Sequence, residues 1–451
     1  MSSSPGGCVL KQLRIVPLRS KLTARAGLVA VGKLLRHQAQ LPQVLDPKFP
    51  ISGGGFPDSS VAISYVALLC QGTTEFDAIE NMRGDATFAQ ALGLPLLPSA
   101  PTVRQRVEQR GQDWVEPLFD ANARLLTRAK VVPTALWSGH VPLDLDVFVM
   151  DNSDSRKEGV GYTYAKVMGY APVAAYLGRE GYLLEFSLRE GVQHSAKETE
   201  YSLERVLPLA RKLTAAPLLV RMDSGFDSAK LTAELELQNA ALGAVDWIVK
   251  WNPRGYNVQA DYERLLADPF REWTTLRAGK RMTLWRGAAG GQKRVYRLIE
   301  ETVDRDGQVL LLPKLSVDGW NTNLKKFSNA SIIALYADHG THEQFHSELK
   351  TDMNLERLPS GKFNANDAVC SLAMLAYNAL RIIGQNALLG DDSPVRHKAE
   401  RRRLKTVIRE IICAPGQWIH HARQICLGIP QVWAGFAAFT GLMRGPLFAS
   451  D

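Results

Sequence analysis

Two kinds of chemistry can be written from the side chains between positions 336 and 350 of this 451-residue chain. "HEQFH", residues 342 to 346, has the His-Glu-x-x-His spacing that on a helix brings two imidazoles to one zinc ion, with the glutamate as general base. Glu343 can instead belong with acids distant in sequence, because Asp144 and Asp146 lie in "LDLD" and Asp223 ends "APLLVRMD". Carboxylates gathered in one cleft hold hard dications such as magnesium. Two such cations about 4 Å apart assist in-line displacement at a phosphodiester, activating the nucleophile and stabilising the leaving oxygen. The zinc reading finds little downstream: after His346 the chain runs "SELKTDM", without a His-x-x-Gly-x-x-His extension, and Asp367 is one of few remaining groups for a third ligand.

Distant acids act together only if strands and helices bring them to one place. Leu143 to Met150 reads as a strand, and Asp144 and Asp146 share a face of it because side chains repeat every two residues. An unpaired carboxylate inside so apolar a strand costs several kcal/mol, so it must be paired, open to a cleft or bound to a metal. "APVAAYLGREGYLLEFSLREG" reads as two strands turning at "GREG", and "SAKETEYSLERVLPLARKLT" as a helix with Ser195 and Glu198 as its capping box. "APLLVRMD" is a buried strand, "SAKLTAELELQNA" a helix after Asp227 or Ser228, and "DWIVKW" another strand. Three strands in a meander, then helix, strand, helix, strand is the order of an RNase H-like α/β core, a mixed sheet flanked by helices. Functional groups of such sheets collect beyond the carboxyl ends of strands, where Asp223 falls.

The remaining chain divides around that core. Residues 1–140 predict an all-α, basic, DNA-binding region. "PDSSVAISYVALLCQG" is capped by Asp58 or Ser59, "TEFDAIENMRG" by Thr74, and "PTVRQRVEQRG" is either a DNA-reading helix or a solvated face through Arg104, Arg106 and Arg110. Residues 141–250 hold the first part of the core. Residues 251–328 form a β-rich insertion with a hairpin through Asp306-Gly307. Residues 329–390 hold the second part, with a helix from near Thr341 on which Glu343 and Lys350, two turns apart, face one cleft. Residues 391–451 predict a basic helical C-terminal region.

Charge narrows the partners. The formal net charge is +8; eight Lys and Arg against Asp46 alone occupy residues 1–50, and seven against Glu400 occupy "RHKAERRRLKTVIR" from Arg396 to Arg409. Such clusters favour a polyanion, nucleic acid before membrane, unless they are solubilising faces. Five scattered cysteines without a Cys-x-x-Cys pair predict a reducing compartment and no thiolate metal site. The N-terminus carries no secretory pattern. "CLGIPQVWAGFAAFTGLM", residues 426–443, is uncharged, but Pro430, Gln431 and three glycines make it a buried terminal element rather than a membrane span.

In this order the blocks resemble the DDE transposases of bacterial insertion sequences, of the group marked by Tyr-(2)-Arg-(3)-Glu-(6)-Lys. Tyr336, two residues, His339, three residues, Glu343, six residues, Lys350 follows that spacing, with His in the Arg place. "LDLD" with "KEG" downstream, "RMDSGF" and "LAYNALRI" extend the resemblance over about residues 140–385. It implies a cut-and-paste enzyme whose catalytic, metal-binding acids are Asp146, Asp223 and Glu343, with Asp151 of "DNS" as the alternative first carboxylate. Mg²⁺, with Mn²⁺ as substitute, would be the cofactor, and Tyr336, His339 and Lys350 would lie against phosphate. Arginine stays charged and grips phosphate with two bonds, whereas histidine is only partly protonated near neutrality. The implied partners are terminal inverted repeats and target DNA, bound by a homodimer or larger assembly in the bacterial cytoplasm at the nucleoid, with no membrane. A domesticated relative that binds DNA without cutting it is the alternative. Trp285 and Trp320 of the insertion either hold a flipped base or fill a core.

Overall fold

The strand-rich stretches between residues 141 and 322 build one nine-stranded sheet in the computed structural model, which describes residues 15–16, 22–51, 53–289, 292–421 and 424–448. Its strands are β1 (Val141–Val147), β2 (Val173–Leu177), β3 (Tyr182–Ser187), β4 (Leu218–Met222), β5 (Val245–Lys250), β6 (Thr274–Arg277), β7 (Lys280–Ala289), β8 (Gln292–Val303) and β9 (Val309–Thr322). Their order across the sheet is β6-β7-β8-β9-β5-β4-β1-β2-β3. β1, β4 and β5 are parallel, β2 runs antiparallel to β1 and β3 antiparallel to β2, and β9 joins the insertion to β5. The central strands are covered on both faces, which is why "VPLDLDV" and "LLVRM" read as nearly continuous apolar runs broken only by Asp144 and Arg221, which pair with each other, and by Asp146.

The helices that bear on the site are α1 (Asp58–Leu69), α2 (Ala100–Arg110), α3 (Val115–Arg128), α4 (Thr199–Leu213), α5 (Ala229–Leu242), α6 (Val258–Ala267), α7 (Asn329–Ala337), α8 (His342–Ser347), α9 (Phe363–Ala387) and α10 (Phe436–Arg444). One apolar core runs from Leu28 through β1 to β5 and α9 to Phe448, so the N-terminal helices pack into the same core as the sheet. α9 is its axis. Among the described residues it is the one helix long and apolar enough to cross a membrane, and its apolar stretch is buried inside protein, packing on α3, α1, α2 and β3. The Asn378 side chain accepts from Leu183 N (2.9 Å) and donates to Leu183 O (2.7 Å), satisfying a backbone pair of β3 and locking α9 to the sheet.

Several local expectations change. The helix after "REGVQH" starts at Thr199, with Glu198 at φ 62° and no side-chain cap, and the Ser195 carbonyl accepts from Arg189 Nη1 and the Thr199 hydroxyl. Asp58 lies in the first turn of α1 and is fully buried; Arg106 and Arg110 of α2 turn inward onto it, as does Trp114 Nε1 at 2.9 Å. Those two arginines are therefore not on an exposed reading face, while Arg104 is at the surface beside Asp77. Gly416–His421 pairs antiparallel with Gln424–Gly428 and with Leu22–Thr23, and α10 follows, so the uncharged stretch 426–443 is a strand and a helix rather than one span. Lys11, Arg14, Arg19 and Lys21 lie outside the described residues. In the insertion, Trp285 stacks on Tyr296 (4.8 Å, 6°) and Trp320 is buried, so both belong to cores.

Candidate active site

Register brings the first two acids together. β1 and β4 are parallel with Asp144 opposite Arg221 and Leu145 opposite Met222, so one step further places Asp146 level with Asp223, which directly follows β4. Strands lie about 4.8 Å apart, and the period of two puts Asp144, Asp146, Arg221 and Asp223 on one face. Arg221 clasps Asp144 with Nε and Nη2 at 2.7 Å each and donates through Nη1 to Leu335 O of α7 (2.7 Å), tying the helix to the sheet. Burial drives the Asp144 carboxyl up, but Arg221 and the neighbouring His339 hold it well below the usual carboxylate range.

The segment after α7 lies over this face. A 3₁₀ turn, Asp338–Thr341, leads into α8, and a π-helical turn, Glu348–Asp352, follows. Phe345 anchors α8 against Tyr176 of β2 (4.9 Å between rings) and over Gly181. Gly181, at φ +72°, serves twice, since a Cβ there would collide with the Phe345 ring. Glu348 in the π turn is buried between Arg381 of α9 and Arg401, and Asp352 accepts from Arg403 Nε at 2.8 Å and Lys405 N at 3.0 Å. Part of the C-terminal basic cluster thus clamps the site helix.

Three histidines line this segment, His339 in the 3₁₀ turn and His342 and His346 on α8. His342 Nε2 lies 2.7 Å and His346 Nε2 3.0 Å from the same oxygen, Asp146 Oδ2, while Val147 N donates to Oδ1 (2.8 Å). Burial pushes the Asp146 carboxyl up, and the two imidazoles overcome it, leaving the group well below the carboxylate range. Burial lowers both histidines as well; the bond to Asp146 carries His342 above the usual imidazole range, whereas His346 stays below it. Asp223 is raised, by burial first and then by the charge of Asp146, with only partial relief from the Gly225 N–H at 2.8 Å and the histidines. His339 is buried, stacks on His342 at 4.0 Å, and has Nδ1 3.1 Å from Asp144 Oδ1; neither ring nitrogen makes a hydrogen bond among the described residues.

The expected residues therefore separate. Asp146 and Asp223 meet; Asp151 is exposed in a small separate sheet and accepts from Ser153 N (2.9 Å) and Oγ (2.7 Å). Glu343 is exposed and forms no hydrogen bond or ion pair among the described residues. Lys350 does not stand two regular turns below it, because the π turn intervenes; its Nζ donates to Val149 O and pairs with Glu356, both at 2.9 Å. The Tyr336 phenol is pushed up by burial and then by the charges of Asp223, Asp146 and Asp144, and its ring lies 5.5 Å from that of His339. Two groups escaped the sequence reading: Tyr164, raised to about 12 by burial and then by Asp146 and Asp223, and Tyr176, whose hydroxyl lies 3.0 Å from His346 Nδ1. Neither sits in a motif; only the fold brings them near.

Asp146, His342 and His346 present donor atoms within 4.8 Å of one another, a set that can hold a divalent cation. A model for the transposase DDE domain, group 1, matches residues 21–444. The chain belongs to that family. None of the curated proteins matches this DDE-domain chain. Among solved structures it is similar to the piggyBac transposase synaptic complex with hairpin DNA, at 12% identity over 85% of this chain and 79% of that one, with a TM-score of 0.45.

Proposed function

We propose that this DDE-family chain is the transposase of a bacterial insertion sequence, cutting the element's terminal inverted repeats and joining the 3′ hydroxyls to target DNA. One observation carries the reading: Asp146 and Asp223 stand side by side at the carboxyl end of parallel strands, one held ionised by two histidines and the other raised by its neighbour's charge. The strand order β3-β2-β1-β4-β5 supports an RNase H-like core, with residues 251–328 as its insertion.

Asp146 and Asp223 would hold Mg²⁺ or Mn²⁺, and the cation, when bound, would activate the attacking oxygen and stabilise the leaving one. Arg221 and Asp144 fix the register that positions the two acids. Tyr336, kept protonated, offers a hydroxyl near the acids, the Tyr164 hydroxyl donates to Val147 O beside Asp146 (2.9 Å), and Lys350 presents a cation near the end of β1. Glu343 is the third acid; it adjoins His342, so its exposed carboxylate sits one residue from the Asp146 cluster and can turn toward bound DNA. The partner is double-stranded DNA, held by a dimer or larger assembly in the bacterial cytoplasm.

A second reading, a relative that binds DNA without cutting, draws on the exposure of Glu343. The protease reading of "HEQFH" needs that same glutamate turned to a metal between the histidines, whereas the histidines converge on Asp146. Strand transfer with paired terminal repeats and Mg²⁺ separates the readings: Asp223→Asn and Glu343→Gln are expected to abolish joining and retain DNA binding. Joining by both variants at the parental rate would refute the proposal.

A further inference from the structure

A pocket of about 520 Å³ lies in the N-terminal helical region and shares no residue with the acid pair. One wall is the helix Leu28–Lys33 with the π-helical turn Leu34–Gln38 that continues it; the others are the last turn of α3 and the segment ending at Phe448. Lys33, Arg36, His37 and Arg128 line it, and among the described residues no carboxylate does. Basic residues near a helix C-terminus ordinarily offset its dipole, but two such ends supply only about half a negative charge each. Lys33, Arg36 and Arg128 bring three full positive charges, so a surplus remains.

The fold holds these cations in place. Lys33 Nζ donates to Phe448 O at 2.6 Å, and Arg128 Nε to His37 O at 3.3 Å, which leaves the two terminal nitrogens of Arg128 without a partner among the described residues. Arg36 is half-buried and lies against Gly93, where a Cβ would come within 3.2 Å of its Cδ and Nε. Its guanidinium makes no hydrogen bond or ion pair among the described residues. Such a group has lost part of its hydration and gained no partner, a cost that an anion would offset. Arg124 donates to Gln40 Oε1 at 3.1 Å, so the amide N–H groups of that lining side chain remain as further donors.

A guanidinium fork matches phosphate oxygens with two bonds, and His37 and Arg128 are exposed, so a phosphate that belongs to a longer chain can reach them. We propose that this pocket is a phosphate-binding site that grips the backbone of duplex DNA outside the cleavage site, through Arg36 and Arg128 first. The choice of DNA over a free phosphate rests on the transposase reading. The proposal moves the DNA contact of the N-terminal region from α2, whose Arg106 and Arg110 are spent on Asp58, to these helix ends.

The test is fluorescence anisotropy of the purified full-length chain with a labelled duplex of arbitrary sequence, over about 50 to 200 mM salt. Phosphate contacts read no sequence, and each one lost lowers the slope of log affinity against log salt by about one. Arg36→Gln and Arg128→Gln are each expected to lower that slope by about one, and the double variant by about two, with weaker binding on every duplex. Arg36→Lys keeps the charge and is expected to restore the slope. A merely structural role would lower the melting temperature and leave the slope unchanged. Arg128 is exposed, so its variant serves if Arg36→Gln does not fold. Parental slopes in both single variants would overturn the site. A parent whose melting temperature rises with inorganic phosphate, while the variants keep the parental DNA slope, would mark a free-anion pocket and overturn it equally. Cutting of DNA by a parent whose variants keep its slope leaves the transposase reading standing while this one falls; lowered slopes in variants of a parent that cuts no DNA do the reverse.

Discussion

Arg221 reaches across from β4 and holds Asp144 of β1 with two hydrogen bonds of 2.7 Å, both side chains almost wholly removed from solvent. The pair lies two residues before Asp223 and Asp146, so it fixes the register on which the acid pair depends. Removing one partner leaves a buried charge uncompensated, which costs about 3–5 kcal/mol. Arg221→Met is therefore expected to lower unfolding free energy by that order in urea denaturation, and Asp144→Asn added to it to recover part of the loss. A single Arg221→Met that unfolds like the parent would contradict this.

Asp367, at the start of α9, is raised to about 6 by burial, with the charge of Glu185 adding to it, although Leu188 N donates to it at 2.9 Å. A raised folded-state value means the native chain binds the proton more tightly than the unfolded one. That stability is complete below the unfolded value near 4 and is lost as pH rises through 6, a difference of about 3 kcal/mol. Asp367→Asn keeps the acceptor and cannot ionise, so it is expected to melt above the parent at pH 8 and close to it at pH 4. A gap independent of pH would speak against burial as the cause.

Arg106 and Arg110 separate from Arg104 in the same way. Asp58 is fully buried beneath the first two, and Arg104 meets Asp77 in the open. Arg110→Ala is expected to cost a few kcal/mol, and Arg104→Ala under about 1 kcal/mol, in thermal unfolding. Equal costs would place all three at the surface.

Much of the scaffold was legible because its signals are local. The Leu218–Met222 and Val245–Lys250 strands, the hairpin through Asp306-Gly307 and the helix after Ser228 all follow from apolar runs and turn residues. Asp146 could be preferred to Asp151 from its position inside a strand, and the strand register that sets it level with Asp223 is what the proposed acid pair rests on. The π turn at Glu348–Asp352 was not legible, because it depends on Arg381 and Arg401 closing on Glu348 from other segments. The convergence of His342 and His346 on Asp146 was hidden for the same reason: the pattern named the histidines, but which carboxylate they meet is decided by how α8 packs on β1. Arg106 looked like a surface cation until the burial of Asp58 gave it a partner.

The most direct measurement is cleavage of DNA carrying the inverted repeats that flank the gene, with Mg²⁺ or Mn²⁺, by the parent and by Asp146→Asn, Asp223→Asn and Asp151→Asn. The first two variants are expected to bind that DNA and leave it uncut, while Asp151→Asn cuts. Cleavage at the parental rate by Asp146→Asn or Asp223→Asn would contradict an active site built on that pair.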